Sequence, residues 1–308
     1  MEIIALCPGN IATGGTEGIH KLIKELRLCG ADAKILYLNG SQPKEFAGYD
    51  CPWISEFPAN YTGVFIVPEV YANSITDPEY RRCTVAVLWQ GVDVYKWHNP
   101  KSTWGHFLSR TDAVHITMSE YGIDYLRGLG LNPIKIPDCL NDDFLRDFPD
   151  IYERGNAVLY NPIEVKLTRF QREVMSRCAD IEFKPLSGYS RGELIDLMRH
   201  SKLYIDFGVF SGRERLPRES VMCGCCILTS TQGTAGYYRD NSIPDKYKLD
   251  DVDSAVKMIH HVLKEYEACK PDFDRYRELL KRDKEIYPGR CMILYHEFTK
   301  IQRHNTGV

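Results

Sequence analysis

The chain has 308 residues, with 39 basic and 42 acidic side chains and a formal net charge of −3. This balance argues against general nucleic-acid binding, which needs a strongly basic face, and the length is typical of two compact domains. No stretch reaches the ~18 continuous apolar residues that a membrane-spanning helix needs. We therefore expect a cytoplasmic protein, and leave open a peripheral contact with the inner face of a membrane. The chain has eleven scattered cysteines, several of them in apolar segments, and most are expected to be buried thiols.

The first half of the chain predicts strands that alternate with helices. A buried strand, "MEIIALC", leads through the turn "PGNIATGG" into a helix whose apolar residues recur at helical spacing: Ile19, Leu22, Ile23 and Leu26. Further strands are predicted in "AKILYL", "GVFIVP", "TVAVLW" and "AVHITMS". This alternation predicts a parallel sheet covered by helices on both faces.

The pattern restarts near Arg154 after a stretch rich in proline and acidic residues. The second series of predicted strands comprises "NAVLYNP", "IEFKPL", "LYIDFG" and "CCILTS", and two long amphipathic helices close the chain. We therefore expect one α/β domain over residues 1–150 and a second over 151–285. The last helix, 286–308, is expected to return to the first domain.

Three arginines and a proline come together in "SGRERLPRESVMCGCC", residues 211–226. Pro217 suits the first turn of a helix, so Arg213, Arg215 and Arg218 would surround its N-terminus. Guanidinium groups at a helix N-terminus suit phosphate oxygens, and Glu219 could bind ribose hydroxyls. The alternative is a surface network in which Glu214 and Glu219 neutralise the arginines.

Two other turns follow predicted strands. Gly14 and Gly15 come just before a helix, where backbone N–H groups can approach a ligand or simply form a tight turn. Their spacing is not the G-x-G-x-x-G of dinucleotide-binding proteins. Lys166 and Arg169 follow a strand end and are either a diphosphate clamp or solvated helix ends.

A third turn, "SGYS", precedes a predicted helix. Ser190 and Glu193 have the spacing of a capping box, which fully accounts for both residues. Backbone groups from Ser187 to Tyr189 could in addition bind the edge of a base.

Two segments carry a family resemblance. "LPRESVMCGCCILTSTQGTAGYY" resembles the signature of retaining glycosyltransferases of the GT-B type, and "GGTEGIHKLIKELRLCGADAKILYL" resembles their amino-terminal turn, helix and second strand. The resemblance implies an α/β fold of two Rossmann-like domains that face each other across a cleft. It also implies transfer of a sugar from a nucleotide-sugar donor to a glycan, a lipid-linked or another hydroxyl acceptor, with retention and without a metal or other cofactor.

The resemblance assigns roles to residues of this chain. Glu219 matches the ribose-binding glutamate, Lys166 the basic residue on the donor diphosphate, and Gly15 the turn near the sugar. With the arginines, the expected catalytic residues are Lys166, Arg213 and Arg218. The expected donor-binding residues are Gly15, Thr16, Asn161, Ser187, Gly188, Tyr189, Arg215, Glu219, Gly233 and Thr234.

One position departs from the family. Its paired glutamates lie eight residues apart, and the position of the first is Ser211 in this chain. The form "G-x-x-R-x-P-R-E" resembles the variant found in capsule and O-antigen transferases. The missing acid leaves the donor sugar open, and Glu214 could replace it only if the loop bends differently.

An aromatic segment, "LWQGVDVYKWHNPKSTW", follows a strand of the first domain. Trp89 is expected in the core, whereas Trp97 and Trp104 could pack, stack on sugars or contact lipid. The expected acceptor-binding residues are Gln90, Asp93 and Trp97.

Other chemistries find little support in the sequence. Cys223, Cys225 and Cys226 lack the spacing of a zinc site, and His260 and His261 point about 100° apart on a helix, so no metal is expected. A nucleotide-sugar epimerase of the same fold and a non-catalytic nucleotide-binding protein remain as alternatives. The oligomeric state stays open.

Overall fold

The computed structural model describes residues 1–93, 110–146, 153–163 and 167–306. The chain forms two compact units, one of residues 1–138 and 285–308 and the other of residues 139–284. The first boundary lies before the predicted residue 150, because Leu140 and Phe144 pack into the core of the second unit. Residues 285–308 lie with the first unit, where the Gln302 amide donates to Thr84 Oγ1 at 2.8 Å.

In the described residues, the first unit contains a seven-stranded sheet whose spatial order is β3-β2-β1-β4-β5-β6-β7. All of its strand pairs are parallel. Its strands are β1 (Glu2–Pro8), β2 (Asp32–Leu38), β3 (Trp53–Ile54), β4 (Val64–Pro68), β5 (Thr84–Trp89), β6 (Val114–Thr117) and β7 (Ile134–Lys135). The predicted runs form the long strands, whereas β3 and β7 have two residues each and too few side chains to show a period.

Helices α1 (Gly14–Leu28) and α2 (Glu120–Gly128) follow β1 and β6. The four apolar residues predicted for α1 are all buried: Ile19, Leu22, Ile23 and Leu26. One apolar cluster of this unit joins the strand residues Ile4, Phe65 and Val87 to Leu126 of α2.

The second unit contains a parallel sheet in the order β11-β10-β8-β9 within its described residues. Its strands are β8 (Gly155–Tyr160), β9 (Phe183–Pro185), β10 (Ser201–Asp206) and β11 (Cys226–Thr229). Its helices are α3 (Asp142–Leu145), α4 (Arg169–Arg177), α5 (Arg191–Arg199), α6 (Arg215–Met222), α7 (Val252–Lys264), α8 (Tyr266–Cys269) and α9 (Asp274–Thr306). The last of these, α9, continues into the first unit.

Several local expectations are confirmed. Ser190 caps α5, and the reciprocal bonds of a capping box with Glu193 are both present. Pro217 lies in the first turn of α6, where its missing N–H costs no helical hydrogen bond. All eleven cysteines are free thiols, and all except Cys29 are buried.

Candidate functional site

Each sheet has a point where the chain order reverses. In the first unit the chain runs outward from β1 to β2 and β3, then resumes at β4 on the other side of β1. In the second unit β8 lies between β9 and β10 in the same way. Open α/β sheets bind ligands outside the carboxyl ends of the strands at such switch points. The loops after β1, β4, β8 and β10 are therefore the candidate site segments.

The turn after β1 is closed by threonines. The Thr13 side chain accepts a hydrogen bond from the backbone N–H of Thr16, and Thr16 Oγ1 accepts one from the N–H of Thr13 at 2.9 Å. The predicted position of Gly14 and Gly15 before the helix is wrong, because this capping box starts α1 at Gly14. Thr16 is buried, and its hydroxyl also donates to the Ile11 carbonyl at 2.8 Å.

Gly15 and Gln90 lie in contact at this edge. The Gln90 amide Nε2 donates to the Gly15 carbonyl at 2.7 Å. A Cβ added to Gly15 would lie 2.8 Å from Gln90 Oε1, so the glycine permits this close approach. The structure thus joins one predicted donor-binding residue to one predicted acceptor-binding residue.

Glu69 is a candidate site residue that the sequence reasoning missed. It directly follows β4, is 3% exposed, and accepts hydrogen bonds from the backbone N–H groups of Gln90 at 3.1 Å and Gly91 at 2.9 Å. Burial raises its pKa to about 7, although the backbone hydrogen bonds oppose that rise. An acid that directly follows the run "GVFIVP" was the signal that could have revealed it.

The aromatic segment after β5 is described only in part. Trp89 is buried as expected, and its indole N–H donates to His115 Nδ1 at 3.0 Å. Burial lowers the pKa of His115 to about 4, so the ring is neutral at neutral pH. Asp93 Oδ2 accepts a hydrogen bond from the Tyr121 hydroxyl at 2.8 Å. The predicted acceptor residue Trp97, like Trp104, lies outside the described residues.

In the second unit, Arg218 fixes the entry into α6. Its side chain is fully buried, at 1% exposure. Nε donates to the Glu214 carbonyl at 3.0 Å and Nη2 to the Arg213 carbonyl at 2.6 Å. Arg218, which the sequence predicted to bind phosphate, therefore binds the backbone carbonyls of the two residues that precede the helix.

Arg213 forms a buried ion pair. Its Nη1 donates to Asp283 Oδ2 on α9, and the two side chains are 3% and 6% exposed. Burial alone lowers the pKa of the guanidinium, but the negative charge of Asp283, with a further contribution from Asp240, outweighs it, and the net pKa is raised. The partner lies 70 residues further along the chain, and no pattern in the sequence pointed to it.

The remaining charged residues of this loop surround the start of α6. Glu214 occupies the N-cap position but makes no capping hydrogen bond with its side chain. Its Oε1 instead accepts from the Ser211 hydroxyl at 3.5 Å. Arg215 is half-buried and Glu219 is 7% exposed, in the first and second turns respectively.

Gly233 and Thr234 contact the loop that leads into α6 at Phe210 and Gly212. The Thr234 N–H donates to the Phe210 carbonyl at 2.8 Å, and its hydroxyl donates to the Gly212 carbonyl. Gly233 has φ +66°, and a Cβ on it would lie 2.1 Å from the Phe210 carbonyl oxygen. These two predicted donor-binding residues therefore have a defined structural role as well.

The other predicted donor residues follow β8 and β9, which are neighbours in the sheet. Asn161 is buried after β8, and its Oδ1 accepts from the Ile163 N–H at 3.2 Å. Ser187, Gly188 and Tyr189 are exposed after β9. Lys166 lies outside the described residues, and Arg169 is the first residue of α4.

The described part of the chain contains no group of three or more His, Cys, Asp or Glu side chains arranged to hold a metal ion. None of its helices combines the length and apolar character needed to cross a membrane.

No family model matches the sequence, and no curated protein is similar to it in sequence. Solved structures do resemble it. A glycosyltransferase from Rickettsia africae ESF-5 superposes with a TM-score of 0.62 at 12% identity, over 99% of this chain and 98% of that one. The GT-B fold is thereby shown.

Two more structures agree with this GT-B fold. Sucrose-phosphate synthase from Thermosynechococcus elongatus has a TM-score of 0.65 at 12% identity, over 97% of this chain and 99% of that one. T4 phage BGT, in complex with UDP and Mn²⁺, has a TM-score of 0.55 at 10% identity, over 98% and 99%. The expected architecture of two Rossmann-like domains is confirmed, and at these identities the likeness concerns the fold.

Proposed function

We propose that this GT-B chain is a glycosyltransferase that moves a sugar from a nucleotide-sugar donor to a hydroxyl acceptor. Nearly the whole chain aligns with a Rickettsia glycosyltransferase, and T4 phage BGT binds UDP in the same fold. Because a fold hosts many functions, the proposal depends on the site of the second unit.

The observation that carries the proposal is the fixed start of α6 at the switch point. Arg218 holds the carbonyls of Arg213 and Glu214, and no side chain at the N-cap position caps the helix. A helix N-terminus that is rigidly held and lacks its own cap suits a phosphate anion. We assign the diphosphate to this N-terminus and to Arg215, with Lys166 as a further ligand after β8.

The rest of the donor would extend across the neighbouring loops. Glu219, in the second turn of α6, is assigned to the ribose hydroxyls, and the exposed turn at Ser187, Gly188 and Tyr189 to the base. Asn161, Gly233 and Thr234 shape the loops between these groups. Gly15 and Thr16 of the first unit are assigned to the sugar.

The acceptor is assigned to the carboxyl edge of the first unit. Gln90 and Asp93 lie there with Glu69, and Trp97 follows them in the chain. Carboxylate and amide groups bind the hydroxyls of sugars, so a glycan or a lipid-linked glycan fits this edge.

The chemistry requires stabilisation of a departing diphosphate while positive charge develops at the sugar. Positive groups fixed in advance at the leaving phosphates stabilise that charge without reorganisation. Arg215, Lys166 and the α6 N-terminus supply such groups, so transfer is proposed to need no metal. Transfer with retention, in which the leaving phosphate accepts the proton of the acceptor, needs no separate side-chain base.

The test is an incubation with uridine, guanosine, adenosine, thymidine and cytidine diphosphate sugars, with release of the nucleoside diphosphate as the readout. The proposal predicts slow release from one donor, faster release with a glycan acceptor, and the same rates in EDTA. The anomeric configuration of the product, determined by NMR, should equal that of the donor. Interconversion of donor sugars, or tight binding of every donor without turnover, would contradict the proposal.

Arg215→Met provides the residue-level test. We expect it to lower turnover at least tenfold and to weaken binding of the nucleoside diphosphate. Arg146→Met is the matched control, because the Arg146 side chain is 70% exposed and lies outside the α6 loop. Equal activity of the two variants would overturn the assignment of Arg215.

A further inference from the structure

Five buried side chains of the second unit lie behind the loop that leads into α6. They are Arg213, Arg218, Asp240, Tyr276 and Asp283, all 8% exposed or less. We refer to these five residues as the Arg213 cluster. The carboxylates of Asp283 and Asp240 raise the pKa of Arg213, and burial raises the pKa of Tyr276 to about 12 although both arginines oppose that rise. The cluster connects α6 and its loop to α9.

Within this cluster, contacts run in series from α9 to the backbone of the loop. Asp283 of α9 binds the Arg213 side chain. The Arg213 carbonyl accepts a hydrogen bond from Arg218 Nη2, and Arg218 Nε binds the Glu214 carbonyl. Each link joins a buried side chain to the segment that starts the helix, so the contacts connect Asp283 to the backbone of Glu214, the residue before Arg215.

The Arg213–Asp283 pair is poorly built as a source of stability. Within the described residues, Arg213 Nε and Nη2 are buried and have no hydrogen-bond partner. Buried charges offset their desolvation only when the geometry is good and the remaining donors are satisfied. A pair of this kind adds little net stability compared with apolar side chains of similar size.

We propose that Asp283 and Arg213 are positioning residues that hold the loop 210–214 and the start of α6 in the arrangement that binds the donor diphosphate. The inference rests on the proposed function, and it changes the expected role of Arg213. Its guanidinium acts through Asp283 and the loop backbone, whereas the phosphate contacts belong to Arg215 and to the helix N-terminus. Asp283, which lies 64 residues after Glu219 in the chain, thus contributes to the donor site indirectly.

The test uses the full-length protein and three variants. Asp283→Asn removes the charge and keeps the side-chain shape. Arg213→Met/Asp283→Leu replaces the pair by apolar side chains, an exchange that often leaves stability unchanged or improved. Asp274→Asn is the control on the same helix, because its pair with Arg277 has an exposed carboxylate.

Three quantities are measured: the thermal midpoint, the Kd of UDP, GDP, ADP, CDP and dTDP by calorimetry, and hydrogen exchange in peptides that cover 208–216. For the double variant we expect a midpoint within about 5 °C of wild type, a Kd raised at least tenfold for the preferred nucleotide, and at least tenfold faster exchange in the loop. Asp283→Asn should change Kd and exchange in the same direction. Asp274→Asn should match wild type in all three.

The outcomes separate the inference from the proposed function. A folded variant with wild-type affinity, or with wild-type exchange in the loop, would overturn the positioning role. If the wild-type protein binds none of the five nucleotides, the proposed function fails, and the exchange of the loop alone decides the inference. If the double variant does not fold, Asp283→Asn decides it by the same two readouts.

Discussion

The carboxyl edges of the two sheets are fixed by groups of opposite charge. In the first unit, the carboxylate of Glu69 accepts hydrogen bonds from the backbone N–H groups of Gln90 and Gly91. In the second, the guanidinium of Arg218 donates to the backbone carbonyls of Arg213 and Glu214. Both side chains hold a loop at the carboxyl edge of their sheet by its backbone: Glu69 holds the loop after β5, and Arg218 holds the loop after β10.

This difference has a chemical consequence. Glu69 has its pKa raised to about 7, so the charge at the first edge changes near neutral pH, whereas a guanidinium stays charged throughout. A permanent positive charge suits the diphosphate that we assign to the second edge. A polar edge with a buried carboxyl suits the neutral hydroxyls of an acceptor.

The largest expected effect on stability comes from Arg218, at the carboxyl edge of the second unit's sheet. Arg218→Ala leaves two buried carbonyls without their donor and creates a cavity, so we expect a loss of about 3–5 kcal/mol in the free energy of unfolding. Circular dichroism in urea should measure the change, because it reports on the secondary structure of both units, whereas all four tryptophans precede the second unit in the chain.

Arg239→Ala is the control for that prediction. Arg239 is exposed in the same unit, and its removal should change stability by less than about 0.5 kcal/mol. A loss below about 1 kcal/mol for Arg218→Ala would mean that the guanidinium does not hold the loop.

The next largest effect is a pH dependence of stability that comes from Glu69, at the carboxyl edge of the first unit's sheet. Because Glu69 has a folded-state pKa of about 7 against an ordinary 4.5, the folded protein keeps this proton longer than the unfolded chain does. Stability should therefore fall by about 3 kcal/mol as the pH rises from about 4.5 to about 7, and stay level above.

Glu69→Gln removes this titration and provides the comparison. The difference in unfolding free energy between wild type and Glu69→Gln, followed by tryptophan fluorescence in urea, should decline over that pH range. A difference that does not vary with pH would show that the carboxyl titrates normally.

Two glycines sharpen the comparison further. Gly233→Ala, in the second unit, forces a Cβ to within 2.1 Å of the Phe210 carbonyl at a φ of +66°. We expect a loss of about 2 kcal/mol and weaker nucleotide binding, because the brace on loop 210–214 must move. Circular dichroism and calorimetry measure the two effects, and unchanged values would show that the brace is dispensable.

Gly15→Ala, in the first unit, should have the smallest effect. The nearest atom to its Cβ would be Oε1 of Gln90, a flexible side chain, at 2.8 Å. Loss of the Gln90 hydrogen bond and the higher helix propensity of alanine nearly cancel, so we expect a change within about 1 kcal/mol by tryptophan fluorescence. A loss as large as that of Gly233→Ala would mean that the Gln90 contact is essential to the first edge.

Local patterns predicted the fold better than the site. Apolar runs located the long strands, and Ser190 and Pro217 located helix starts, because these signals act over a few residues. The two-residue strands β3 and β7 have no such period. The boundary lies at residue 138 because Leu140 and Phe144 pack into the core of the second unit.

The site required information that is distant in sequence. Three clustered arginines pointed to the loop into α6 as a candidate site, but their composition could not show that Arg213 binds Asp283 or that Arg218 binds backbone carbonyls. Those contacts depend on how α9 packs. Glu69 was missed although it directly follows a predicted strand.

The most direct measurement is a crystal structure of the protein with the nucleoside diphosphate that raises its thermal midpoint most. Our account predicts that the phosphates lie at the N-terminus of α6, within hydrogen-bond distance of Arg215, while the Arg213–Asp283 pair stays intact behind them. Phosphates bound elsewhere, or an Arg213 side chain that leaves Asp283 to contact them, would contradict it.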